Sequence, residues 1–124
     1  MNGREEIYKI RIIKEPITFE ELKKIAEERY GDMIKAVVDV EREVMALGGD
    51  LHSDEEAFLI ENGSLQENLW GINLWIEKPF EEMIEFDSII NIRPKQGNRS
   101  RFIEDENIRN KIKEIIKKLI KPTD

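Results

Sequence analysis

Polar and apolar residues alternate along Ile7-Tyr-Lys-Ile-Arg-Ile-Ile13, with Tyr8, Ile10 and Ile12 on one side and Lys9 and Arg11 on the other. This two-residue period predicts a half-buried strand, which Pro16 ends. In Thr18-Phe-Glu-Glu21 the Thr18 hydroxyl can accept the orphan N–H of Glu21 while Glu21 reaches back, a capping box that opens a helix. Leu22, Ile25, Ala26 and Tyr30 line the inner face of that helix, and Gly31 supplies the left-handed residue that stops it.

The stretch from Met33 to Leu47 has two readings. With a period of 3.6, Met33, Val37, Val40, Val44 and Leu47 form a helical stripe; with a period of 2, Ile34, Ala36, Val38 and Val40 oppose Lys35, Asp39 and Glu41. The density of valine favours strand, so a hairpin of 33–40 with 43–47 is preferred, turning at Glu41-Arg42, although neither is a favoured turn residue.

Gly48-Gly49 then breaks the pattern. Ser53-Asp-Glu-Glu56 reads as a second capping box, with its acids at the positive end of a helix over 54–62 that buries Ala57, Phe58 and Leu59 and ends at Gly63. Residues 64–68 connect to a strand over Leu69 to Ile76, with Trp70, Ile72, Leu74 and Ile76 inward and Gly71, Asn73 and Trp75 opposite. Lys78-Pro79 turns the chain into a strand over 83–93, with Ile84, Phe86, Ile90 and Ile92 on the core side and Glu85, Asp87, Asn91 and Arg93 opposite. Asp105 caps a last helix striped by Ile108, Ile112, Ile115, Ile116 and Leu119, and Pro122 closes the chain.

The order β-α-β-β-α-β-β-α predicts an α+β two-layer sandwich: a largely antiparallel sheet of about five strands with the helices on one face. The other face is expected to be wet, because the outward strand positions are polar (Lys9, Arg11, Lys35, Asp39, Asn73, Asp87, Asn91, Arg93). With 124 residues and no linker or repeat, one globular domain over 1–124 is expected.

Composition narrows the function classes. The chain has no run of 18 apolar residues, and its first residues turn acidic before any apolar segment, unlike a signal peptide. It has no cysteine, which removes thiol nucleophiles and Cys-type zinc sites and fits the cytoplasm. The charged fraction is 38 %, a habit of proteins from hot environments. A net charge of −7 opposes broad adhesion to nucleic acid, and only Trp75 is placed to stack a base. No Walker loop, dinucleotide fingerprint or Gly-x-Ser-x-Gly elbow is present, so no motif implies a cofactor.

Two stretches carry candidate chemistry. Gly48-Gly-Asp-Leu-His-Ser-Asp-Glu-Glu56 holds the only histidine, His52, between Asp50 and Asp54. Imidazole with carboxylates can move a proton or hold a divalent ion, with Asp87 as a further ligand; the alternative is that these acids only start a helix. The loop 93–101 carries Arg93, Lys95, Arg99 and Arg101 and no acid. Its Gly97-Asn98 turn can expose backbone N–H groups to an anion, and arginine forks match phosphate or carboxylate; the alternative is pairing with surplus surface acids.

Gly48-Gly-Asp-Leu-His-Ser-Asp54, Leu69-Trp-Gly-Ile-Asn73 and Ile90-Asn-Ile-Arg-Pro94 with Gly97-Asn-Arg-Ser100 together resemble a family of small uncharacterised prokaryotic proteins, a domain of unknown function. The resemblance runs from about Pro16 to Ile120 and implies no activity, ligand or catalytic residue. The residues themselves support a polar site formed by 48–54 and 93–101. In it Arg93, Asn98, Arg99, Arg101, Asn73 and Asn91 would hold an anionic or phosphorylated small molecule, with His52 for proton transfer. The competing reading is a non-catalytic interaction or structural module, self-association included. The first requires the two stretches to be neighbours in space.

Overall fold

The valine-rich stretch folds as strands, and the sheet is built around it. In a computed structural model that describes residues 9–121, β1 (Arg11–Ile13), β3 (Met33–Asp39), β4 (Val44–Leu47), β5 (Leu69–Trp75) and β6 (Ile84–Glu85) form one sheet in the order β1-β4-β3-β5-β6. Every neighbouring pair is antiparallel. A parallel pair, β2 (Ile17–Thr18) with β7 (Ile120–Lys121), ties the ends together. The helices are α1 (Phe19–Glu27), α2 (His52–Glu61), the one-turn α3 (Phe80–Met83) and α4 (Glu106–Leu119). The α+β class and the five antiparallel strands are those the pattern predicts. Ile7, Tyr8 and Pro122 lie outside the described residues.

The hairpin turns through residues 40–43 by a device the composition hides. Asp39, fully buried, accepts from the backbone N–H groups of Glu41 (3.0 Å) and Arg42 (2.9 Å) and from the Ser64 hydroxyl (2.6 Å). Its carboxylate thus takes the part expected of a favoured turn residue at 41 or 42. Glu43 takes a left-handed φ of 58° and is clasped by Lys118 and Lys111 of α4, whose bonds lower its carboxyl pKa to about 2.

On one face Ile34, Ala36 and Val38 of β3, Met45 and Leu47 of β4 and Trp70, Ile72 and Leu74 of β5 pack against Leu22, Ile25 and Ala26 of α1 and the isoleucine stripe of α4. Each fully buried Ile or Leu there contributes about 1.5–3 kcal/mol. Thr18 caps α1 (3.1 Å to the Glu21 N–H), but Glu21's carboxylate turns to Arg11 (2.7 Å) instead of closing the box. Asp105 caps α4 as its position predicts. Tyr30 leaves the apolar face: it is exposed, and its hydroxyl donates to the Asp50 carbonyl.

The expectation that all helices share a face, leaving the other wet, is corrected by α2. It packs on the far side, where Leu59 meets Val37, Val44, Ala46 and Leu69 together with Ile10. Those positions are apolar because β3 and β4 are covered on both sides, as a near-continuous apolar run signals. Consequently Asp39, Asn73 and Asn91, expected at a wet surface, are buried. Helix α2 starts two residues earlier than Ser53 predicts, with Leu51 at its N-cap, so Ser53 is not the cap and Ala57 is exposed.

The strand expected over 83–93 also stops early, after Glu85. Beyond it the chain coils through a 3₁₀ turn at Ile89–Asn91, leaving Ile92 exposed. The Asn91 amide takes the missing strand's place on β5, accepting from the Gly71 N–H (2.8 Å) and donating to its carbonyl (3.0 Å). One side chain satisfies the edge that a strand would have paired.

Candidate functional site

The second face of the sheet positions a polar cluster between the start of α2 and the coil that follows β6. Gly48, at φ +96°, lets β4 turn sharply toward α2, and a Cβ there would fall 2.6 Å from the Lys9 carbonyl. This brings His52, in the first turn of α2, over the middle of β5. Its Nε2 lies 2.8 Å from the Ile72 carbonyl and its Nδ1 2.8 Å from the Ser88 hydroxyl. A carbonyl can only accept, so Nε2 carries the proton and Nδ1 accepts from Ser88. Burial holds the His52 pKa below its usual value, and the charge of Lys35 lowers it further against the raising influence of the Ile72 bond and Asp87. The ring is therefore neutral at pH 7.

Ser88 reaches the sheet because residue 71 has no side chain. A Cβ on Gly71 would stand 2.6 Å from Ser88 Cβ and 2.7 Å from its Oγ. Beside the pair opens a cleft of about 210 Å³ lined by Lys35, Leu51, His52, Ser53, Ser88, Ile89, Ile90 and Arg101. Its charges are Lys35 and Arg101, the latter held by Asp87 through two bonds of 2.9 and 3.2 Å. At the start of α2 the Leu51 carbonyl accepts from the Asp54 N–H (3.2 Å), which leaves the N–H groups of His52 and Ser53 with no carbonyl behind them within the helix. Leu51 and Ile89 form exposed apolar lips.

Behind this cluster, Glu55 is fully buried. One carboxyl oxygen accepts from the Gly49 N–H (3.0 Å), and the other is buried without a partner. Burial raises its pKa well above the usual carboxylate value, against the lowering effect of the Gly49 N–H bond.

The structure thus joins the two stretches singled out by sequence, through His52 and Ser53 on one side and Arg101 on the other. The remaining candidates are placed differently. Arg93 donates to the carbonyls of Gln66 and Leu69 and stacks on Trp70 at 4.1 Å. Asn98, buried, is the hub of its loop, donating to the carbonyls of Asn91, Ser100 and Phe102 and accepting from the Glu104 N–H. Asn91 is spent on Gly71 and the Arg101 carbonyl, and Asn73 donates to Glu85 and the Asp87 carbonyl. Arg99 is exposed, its backbone N–H bound to Glu104. Asp50 pairs with Arg29 (2.7 Å), away from His52, and Asp54 is half-buried on α2. Among the described residues no three of His, Asp and Glu gather as a metal-holding group, Asp50, His52, Asp54 and Asp87 included.

Sequence reasoning missed Lys35 and Ser88 as site residues. Lys35 stands among the outward strand positions and is readable as such. Ser88 sits in a segment expected to be strand, where nothing marks it.

The chain belongs to the family described as "Protein of unknown function (DUF5674)", whose model matches residues 11–119. No curated protein and no solved structure gives a match. Among the described residues no helix is long and apolar enough to cross a membrane.

Proposed function

We propose that the protein binds a small anionic ligand, a phosphorylated or carboxylated molecule, in the cleft between the start of α2 and the coil after β6. The observation that carries this reading is the meeting of Lys35, Arg101 and the first turn of α2 around one cavity. Two cations supply charge, and the N–H groups of His52 and Ser53 with the Ser53 hydroxyl supply hydrogen-bond donors. Asp87 neutralises part of Arg101 but also orients the guanidinium, leaving donors for a ligand. The apolar lips Leu51 and Ile89 suit a ligand with a hydrocarbon portion. We place this activity in the cytoplasm, in keeping with the absence of cysteine.

Thermal unfolding against a panel of phosphate, nucleotides and organic acids, with and without EDTA and divalent metals, tests the reading. A ligand at about 100 times its Kd adds about 2.7 kcal/mol, a rise of about 10 °C in Tm. The rise should vanish in Arg101→Ala and Lys35→Ala and persist in Lys95→Ala, which lies on a different cleft. No rise with any ligand, or a rise indifferent to Lys35 and Arg101, contradicts it. The same exposed lips, Leu51 at 53 % and Ile89 at 67 %, favour a second reading as a protein-docking surface, which concentration-dependent light scattering would reveal.

A further inference from the structure

Ligand binding gives no role to the contact between Ser88 and His52. We propose that Ser88 is a nucleophile with His52 as its general base, and that the protein hydrolyses carboxylic esters whose acyl part carries an anionic group. The substrate class rests on the anion-binding reading of the cleft; the Ser88–His52 pair does not.

The geometry has the three parts that activate a hydroxyl. The nucleophile and base are 2.8 Å apart, and the base is held by a third group, the Ile72 carbonyl, also at 2.8 Å. That carbonyl belongs to the fully buried middle of β5, flanked by β3 and β6, so it fixes the ring orientation and tautomer rigidly. Ser88 and His52 both line the cleft and are otherwise buried, so the cleft is the route by which an ester would reach them. The charged groups facing the ring are Lys35 of β3, which opposes its protonation, and Asp87 beyond Ser88, which favours it. Their balance, with burial, keeps the imidazole an unprotonated acceptor at neutral pH.

In the first half-reaction Ser88 Oγ bonds to the ester carbonyl carbon while its proton passes to His52 Nδ1. The carbonyl electron pair moves onto oxygen, and the N–H groups of His52 and Ser53 at the start of α2 are the donors assigned to stabilise it. Collapse breaks the bond to the alcohol, which leaves with the proton from His52. In the second, water attacks the acyl-Ser88 carbonyl and gives its proton to His52. The acid departs, and Ser88 recovers the proton. Lys35 and Arg101 hold the anionic end of the acyl group, and Leu51 and Ile89 flank the rest.

A fluorophosphonate probe followed by peptide mass spectrometry should place one adduct on Ser88, at a rate that rises with pH as His52 loses its proton. His52→Gln should slow labelling at least about 100-fold with the unfolding midpoint largely kept. Ser88→Cys supplies a second variant that preserves shape, and its thiol would be the only one in the chain. Its alkylation by iodoacetamide should persist to lower pH than that of an ordinary thiol. The p-nitrophenyl monoester of succinic acid should be cleaved faster than p-nitrophenyl acetate, a preference lost in Arg101→Ala. Labelling at Ser88 without that preference would overturn the substrate class and leave the nucleophile standing. The pair itself is overturned if Ser88 is not labelled in protein that binds anions. It is overturned equally if folded His52→Gln labels at the parent rate, or if Ser88→Cys titrates as an ordinary thiol.

Discussion

The two faces of the sheet are built on different terms. One buries Ile34, Ala36, Val38, Ile72 and Leu74 under α1 and α4, an apolar interior continuous from β1 to β6. The other has a small apolar cluster around Leu59 and, beside it, buried polar groups: Asp39, His52, Glu55, Asn73, Ser88 and Asn91. Burying polar groups stabilises only when each finds a partner, and most of these do. The apolar face therefore supplies cohesion. The polar face holds side chains in fixed orientations at an accessible cleft, which is what chemistry requires.

That contrast can be broken most forcefully on the apolar side. Leu74→Ala should cost about 2–5 kcal/mol by urea unfolding, through lost burial and a cavity in the centre of β5. Next comes Asp39→Ala on the polar side, at about 2–3 kcal/mol, because two backbone N–H groups and the Ser64 hydroxyl lose their acceptor together. An Asp39 effect below that of an ordinary surface residue would mean the buried polar groups are not structural.

Glu55 gives a smaller effect with a distinctive pH signature. Its folded pKa is raised above that of the unfolded chain, so the native state holds the proton more tightly. Its contribution to stability is complete below the ordinary glutamate pKa, falls as pH climbs above it, and is gone once pH passes the raised folded value. Glu55→Gln mimics the protonated acid and should flatten the stability profile above the ordinary glutamate pKa. An unchanged profile would mean another group sets it. The smallest stability change belongs to Arg101→Ala, at most about 1 kcal/mol, since its pair with Asp87 is half exposed. Its consequence should be on binding.

The asymmetry also decides what the sequence discloses. Period-2 alternation in 33–40 and 69–76 and the stripe of α4 place the apolar face correctly, because hydrophobic burial is proportional to apolar area and leaves a repeating trace. The second cover went unseen: α2 has no comparable stripe, its buried positions being His52, Glu55 and Leu59. Polar burial depends on partners distant in sequence, such as Asn91 on Gly71 or Ser88 on His52, and no local pattern encodes such pairs. The site was half legible. His52 and the run ending at Arg101 were conspicuous by composition, whereas Arg93 and Asn98, which read as ligand groups, bond to backbone groups: Arg93 ties the loop to β5 and Asn98 holds the loop itself. Pairing of Arg93 with Trp70 and with the Leu69 carbonyl becomes visible only once β5 and the loop are adjacent.

The claim that the polar face is a binding site is tested most directly by amide chemical-shift mapping with inorganic phosphate and then a nucleotide. The account predicts saturable shifts confined to Lys35, the first turn of α2 from His52, and residues 88–90 and 101, all absent in Arg101→Ala. Shifts spread over the surface lysines, or centred on the cleft between Gln66 and Lys95, would contradict it.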